Sequence, residues 1–154
     1  MSTIRRLVPV LLAAALAACG AGTPAEPGMQ VTVIPSGTVP RGPFDPADVH
    51  EAWVEGDLLH LRVSYGGGCG EHDFALRFSR PFLESDPVQA PLYLAHDAKG
   101  DPCRAIVGRE LVFDLTPLKQ SYREAYGRSD GTIDLRVFAP GVAHSYTPLV
   151  RYVF

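Results

Sequence analysis

No fixed-period repeat, no long apolar run and no excess of basic residues occurs in this sequence of 154 residues. The missing repeat argues against a propeller or solenoid. The apolar run Leu7 to Leu16, broken by Pro9, is shorter than the roughly 20 residues a membrane-spanning helix needs. Fourteen Lys and Arg stand against seventeen Asp and Glu, and a nucleic-acid partner or a basic membrane-binding face would require clustered positive charge. Neither G-x-S-x-G nor H-E-x-x-H is present, so two common hydrolase signatures are missing.

What is present begins with an export signal. Arg5 and Arg6 precede the apolar run, and the small-residue string Leu16-Ala17-Ala18-Cys19 closes it, the layout of a segment that is cut rather than retained. In this position "LAAC" resembles the lipobox of bacterial lipoproteins. The resemblance implies cleavage by signal peptidase II before Cys19, a diacylglycerol thioether on that cysteine, and a membrane partner reached through lipid. An ordinary secretory signal cut at an A-x-A-like site is the alternative, and either route exports the chain. "IRRLVPV" lacks the Phe-Leu of a twin-arginine signal. Loss of Met1 to Ala18 removes two basic residues and no acid, leaving twelve against seventeen and a formal charge of −5. Gly20 rather than Asp after the cysteine implies, by similarity to proteobacterial lipoproteins, the periplasmic side of the outer membrane.

The chain is long enough for one domain. Residues 1–18 read as signal peptide, 19–46 as a lipidated Pro/Gly-rich tether, and 47–154 as the folded part. The tether holds few large apolar residues apart from "MQVTVI" at Met29 to Ile34, which could dock as an edge strand; the rest cannot build a core. From Asp57 onward apolar residues recur at every second position, as in Leu59, Leu61, Val63 and Tyr65. Phe74 to Phe78, Leu111 to Leu115 and Ile133 to Val137 repeat the pattern of half-buried strands. "AWVEGDLLHLRV" reads as a hairpin, and "PLYLAH" and "PLVRYVF" supply further strands. Thr116 as cap, Pro117 at the first helical position and Gly127 as stop delimit one short helix. The expected fold is therefore all-β: a sandwich of about seven strands, immunoglobulin-like or similar, with one short helix.

With Cys19 committed to lipid, Cys69 and Cys103 remain, and an exported chain meets an oxidising compartment, so a disulfide is expected. Both lie in turn-like segments, "GGGCGEHDF" and "HDAKGDPC", that could meet at one end of the sandwich. The surrounding glycines free the backbone to present the sulfur. A phosphate cradle would need a helix opening after the glycines, and a strand follows instead.

Two other readings compete at this loop. Cys69, His72, His96 and Cys103 could bind tetrahedral zinc, although the spacing of His96 to Cys103 is wide and oxidation competes for the thiols. With the sulfurs paired, His72, Asp73, His96, Asp97 and Asp101 could still converge as a polar or metal cluster. "HDAKGD" lacks the middle carboxylate and distal Glu of a calcium loop, and the plainer reading is a polar turn whose Asp side chains bond nearby backbone. No catalytic residue, metal or cofactor is assigned, because a nucleophile is missing once the cysteines pair.

Together "GGGCGEHDF", "HDAKGDPC" and "LVFDLTPLK" resemble a pattern of small uncharacterised bacterial lipoproteins: GGC-x-EH-x-F, then HD-x-x-GD-x-C, then FDL-x-PL. The resemblance implies a shared fold and loop arrangement and brings no activity with it. The expected function is that of a cell-envelope lipoprotein acting as a binding or structural module. The alternative is a periplasmic metal-dependent or acid-base enzyme using the His and Asp loops, which would require these side chains to converge in a pocket.

Overall fold

A computed structural model describes residues 28–139 and 149–154. The expected export signal, Cys19 and the first part of the expected tether lie outside the described residues. The elements are β1 (Met29–Gln30), β2 (Thr32–Ile34), β3 (Ala47–Glu55), β4 (Leu58–Gly67), β5 (Asp73–Ser79), β6 (Val88–Asp97), β7 (Ala105–Asp114), α1 (Thr116–Tyr126), β8 (Thr132–Phe138) and β9 (Val150–Val153). They form two sheets, ordered β1-β7-β4-β3 and β2-β5-β6-β8-β9. The fold is a two-layer β-sandwich with one short helix.

The alternating strands supply the core. Leu59, Leu61 and Val63 from β4 and Leu111 and Phe113 from β7 face Leu76, Phe78, Leu92 and Leu135 of the other sheet, all buried. Burial of a large apolar side chain stabilises by about 1.5–3 kcal/mol, so this two-sided layer is the main term holding the sheets together. The seven longer strands, β3 to β9, are those expected: β4, β5, β7 and β8 from the alternation, β3 from the hairpin, and β6 and β9 from "PLYLAH" and "PLVRYVF". Parallel pairing of β6 with β8 departs from the antiparallel sheets of immunoglobulin domains.

"MQVTVI" does more than lie along one edge. Met29–Gln30 pair with the end of β7, and Thr32–Ile34 pair with the end of β5 in the opposite sheet. Between them Val31 turns inward, 2% exposed, and donates its N–H to Asp114 O at 3.1 Å. Six residues within the stretch expected as tether thus lace the two sheets along one side.

At the α1 end, Asp57 gathers three elements. Its carbonyl accepts Leu115 N–H at 2.8 Å, Tyr152 O–H donates to Oδ1 at 2.6 Å, and Lys119 Nζ donates to Oδ2. Lys119 and Tyr152 together hold the Asp57 carboxyl below its ordinary value, while burial and then Asp57 push the Tyr152 phenol up. The helix begins one residue earlier than expected: Thr116 lies inside it and Leu115 takes the cap position without a side-chain bond. Asp114 Oδ1 accepts Thr116 N–H at 2.8 Å and so does the capping work. Gly127 ends the helix at φ 63°, donating its N–H to Arg123 O.

Candidate functional site

The opposite end of the sandwich holds the cysteine loop. The β4–β5 connection and the β6–β7 connection both cross between sheets there. The strands that flank Cys69 are therefore on opposite sheets. Cys69 and Cys103 are joined by a disulfide with Cα atoms 5.8 Å apart, inside the usual range for this bond.

The glycine run is an anion cradle, and the anion belongs to the protein. Gly68, Cys69 and Gly70 donate their backbone N–H groups to Asp101 Oδ2 at 3.0, 2.9 and 2.8 Å, and Cys103 N–H donates to Oδ1 at 2.8 Å. Successive amides turned toward one point make such a concavity. The Cys103 amide first, with the loop amides and His72 beside it, holds the Asp101 carboxyl far below the ordinary carboxylate range against the opposing effect of burial. Gly68 reaches φ 111° to make the turn. Gly67 is required for closeness: a Cβ there would stand 2.6 Å from His72 Nε2 and 3.1 Å from Asp101 Oδ2.

Two histidines extend the network inward. His72 Nε2 lies 3.2 Å from Asp101 Oδ2, His72 Nδ1 lies 2.8 Å from His96 Nε2, and His96 Nδ1 faces the carbonyls of Asp45 and Pro46 at 3.1 and 3.2 Å. Carboxylate and carbonyl oxygens only accept, so each end of the chain needs a proton on nitrogen, and the central contact needs one more. Phe74 stacks on His96 at 4.5 Å, and Tyr65 lies 4.7 Å from His72. His72 and His96 are 7% and 2% exposed. The histidine pair is buried, paired and walled by aromatic rings.

Of the five residues expected as a polar cluster, His72, His96 and Asp101 converge. Asp73 and Asp97 do not: Asp73 is exposed and pairs with Lys99 Nζ at 2.9 Å, and Asp97 Oδ1 accepts Lys99 N–H at 2.8 Å in a local turn. They are partners across the β5–β6 ladder, one position from His72 and opposite the His96 face, so strand alternation turns them outward. Ligand atoms of Cys69, Asp101 and Cys103 lie within 4.8 Å of one another, but the two sulfurs are bonded to each other and offer no thiolate. The histidines offer no spare lone pair while their three contacts hold. The sequence reading missed Asp45, whose carbonyl receives His96 and whose Oδ2 accepts Ala98 N–H at 2.8 Å. It also missed Tyr65 as a wall of the site, although its place at the end of the inward alternation was the available signal.

Comparison with known proteins adds the fold. No family model matches the sequence, and no curated protein does. Solved structures similar in fold include a DUF1344 protein of unknown function from Bacteroides vulgatus, with TM-score 0.51 and 16% identity. A protein from Bacteroides fragilis assigned as a lipoprotein has TM-score 0.51 and 15% identity. A NigD-like immunity protein from Bacteroides caccae has TM-score 0.55 and 18% identity. The matches cover 83%, 82% and 80% of this chain and 56%, 70% and 59% of the three structures. The chain thus spans little more than half the length of the first and third. At these identities the likeness concerns the fold alone.

Proposed function

We propose that this protein is a lipid-anchored module of the bacterial cell envelope that acts by binding a partner, with the His72–His96–Asp101 network serving to hold its cysteine loop. The observation that carries the reading is that both ring nitrogens of both histidines are consumed inside the protein. A general base or a metal ligand must keep a lone pair for its task, and a site for substrate must be open. The lipobox-like "LAAC" that ends at Cys19 supports the anchor, and a structural neighbour described as a lipoprotein agrees with it. Gly20 after Cys19 supports the periplasmic face of the outer membrane. Fractionation tests the anchor: the wild type should sediment with membranes and Cys19→Ala should appear in the soluble envelope fraction. Retention of the variant on membranes would contradict the reading.

A further inference from the structure

The far end of the sandwich, where β5 finishes and β6 and β8 begin, carries two clefts that share Tyr126 as their dividing wall. The first, about 320 Å³, has an apolar floor of Pro81, Phe82 and Ala125 and is bounded by the Arg80–Glu124 ion pair, Nη2 to Oε2 at 3.0 Å. The second, about 390 Å³, runs beside Val88 and Tyr122 and is rimmed by Asp86 and Asp130. Tyr126 is held upright by donating its O–H to Glu84 Oε1 at 3.0 Å.

Two features of the first cleft ask for a ligand. Ser121, 2% exposed and lining the cleft, has a hydroxyl with no hydrogen-bond partner among the described residues, and Arg80, which also lines it, has an Nε–H that is likewise buried and unpartnered. Buried donors are paired in the great majority of native structures, so an acceptor oxygen belongs here. The second cleft asks for positive charge. Asp86 and Asp130 have no ion pair among the described residues, and across both clefts Glu84, Asp86, Glu124 and Asp130 outweigh Arg80 and Arg128 by a net −2.

We propose that the paired clefts dock an extended peptide segment of a partner, with an apolar side chain on Phe82 in the first cleft and a lysine or arginine side chain two residues away in the second. A main-chain carbonyl meets Ser121 and Arg80. In an extended chain, side chains two residues apart point the same way, about 6.5–7 Å from each other, which lets them straddle one tyrosine ring. Apolar surface, an acceptor and a cation at that spacing are what a peptide offers. The assignment deepens the binding-module reading and rests on it.

The test uses the full lipidated chain in nonionic detergent and fluorescein-labelled, capped five-residue peptides of glycine with leucine second and lysine fourth. Controls replace the lysine by glutamate or the leucine by serine. Fluorescence anisotropy at low salt should show the lysine peptide binding at least ten-fold tighter than either control. Combined Asp86→Asn and Asp130→Asn should abolish the preference for lysine over glutamate, and Ala125→Trp, at an exposed position, should block binding by filling the first cleft. Equal affinity for the three peptides, no binding up to millimolar protein, or binding unaffected by Ala125→Trp would overturn the assignment. Release of Cys19→Ala from membranes is read separately, so failure of the cleft and failure of the anchored module are distinguishable.

Discussion

His72 carries the most consequence of any single side chain. It joins a cradle of loop amides to the interior through two contacts, to Asp101 at 3.2 Å and to His96 at 2.8 Å. Hydrogen bonds of charged groups contribute about 1.5–3 kcal/mol each, and a partner left buried without its bond costs more than the bond itself. His72→Phe, which keeps the ring against Tyr65, should therefore lower stability by on the order of 2–3 kcal/mol in urea denaturation. A loss below about 0.5 kcal/mol, within the usual scatter of surface substitutions, would refute the structural role. Gly67→Ala drives a methyl group into the same contact and should cost about 1–3 kcal/mol as overpacking does.

The elements were legible where one face of a strand is buried and the other is wet. Leu59, Leu61, Val63 and Tyr65 alternate because β4 has the core on one side only, and the same reason made β5 and β8 readable. Alternation fades where both faces are open. β7 starts at Ala105, well before the expected Leu111, because residues 105–110 are mostly exposed and are held by pairing with the end of β4. Likewise the lacing of Met29–Ile34 through two sheets rests on partners remote in sequence. At the loop, cysteine number and compartment pointed to the Cys69–Cys103 pair, and the glycines to a turn. The identity of the cradled anion was hidden, because nothing local to Asp101 distinguishes it from Asp97. The helix end offers a test at this scale. Tyr152→Phe removes the bond to Asp57 that ties β9 to the β3–β4 turn and should cost about 1.5–3 kcal/mol by thermal or chemical denaturation. An unchanged midpoint would show that Lys119 alone secures Asp57.

At the scale of the whole molecule, two carboxyls tie stability to pH. Asp101 and Asp57 are held below their ordinary values in the fold, the first chiefly by the Cys103 amide and the second chiefly by Lys119. Groups shifted this way stabilise above the unfolded-state value near about 3.9, and that stability is lost as pH falls below it toward the folded values. The urea midpoint should fall below about pH 4 as these two carboxyls protonate. Asp101→Asn should start lower and decline less steeply on acidification; an acid limb unchanged by this variant would contradict its part in the linkage. The disulfide closes a separation of 34 residues and, in the chain-entropy model, contributes about 3–4 kcal/mol. Cys69→Ala with Cys103→Ala should lose an amount in that range, and a reductant should lower the wild-type midpoint similarly.

All three cysteines bear on the proposed reading, with Cys19 as a thioether and Cys69 and Cys103 bonded to each other. Thiol counting on protein taken from envelope membranes, denatured without reductant in the presence of chelator, with zinc assayed on the same sample, tests that reading directly. The expected result is no free thiol and no stoichiometric zinc. One free thiol located at Cys19 would remove the lipid anchor, and two at Cys69 and Cys103 with zinc beside them would turn the loop into a metal centre.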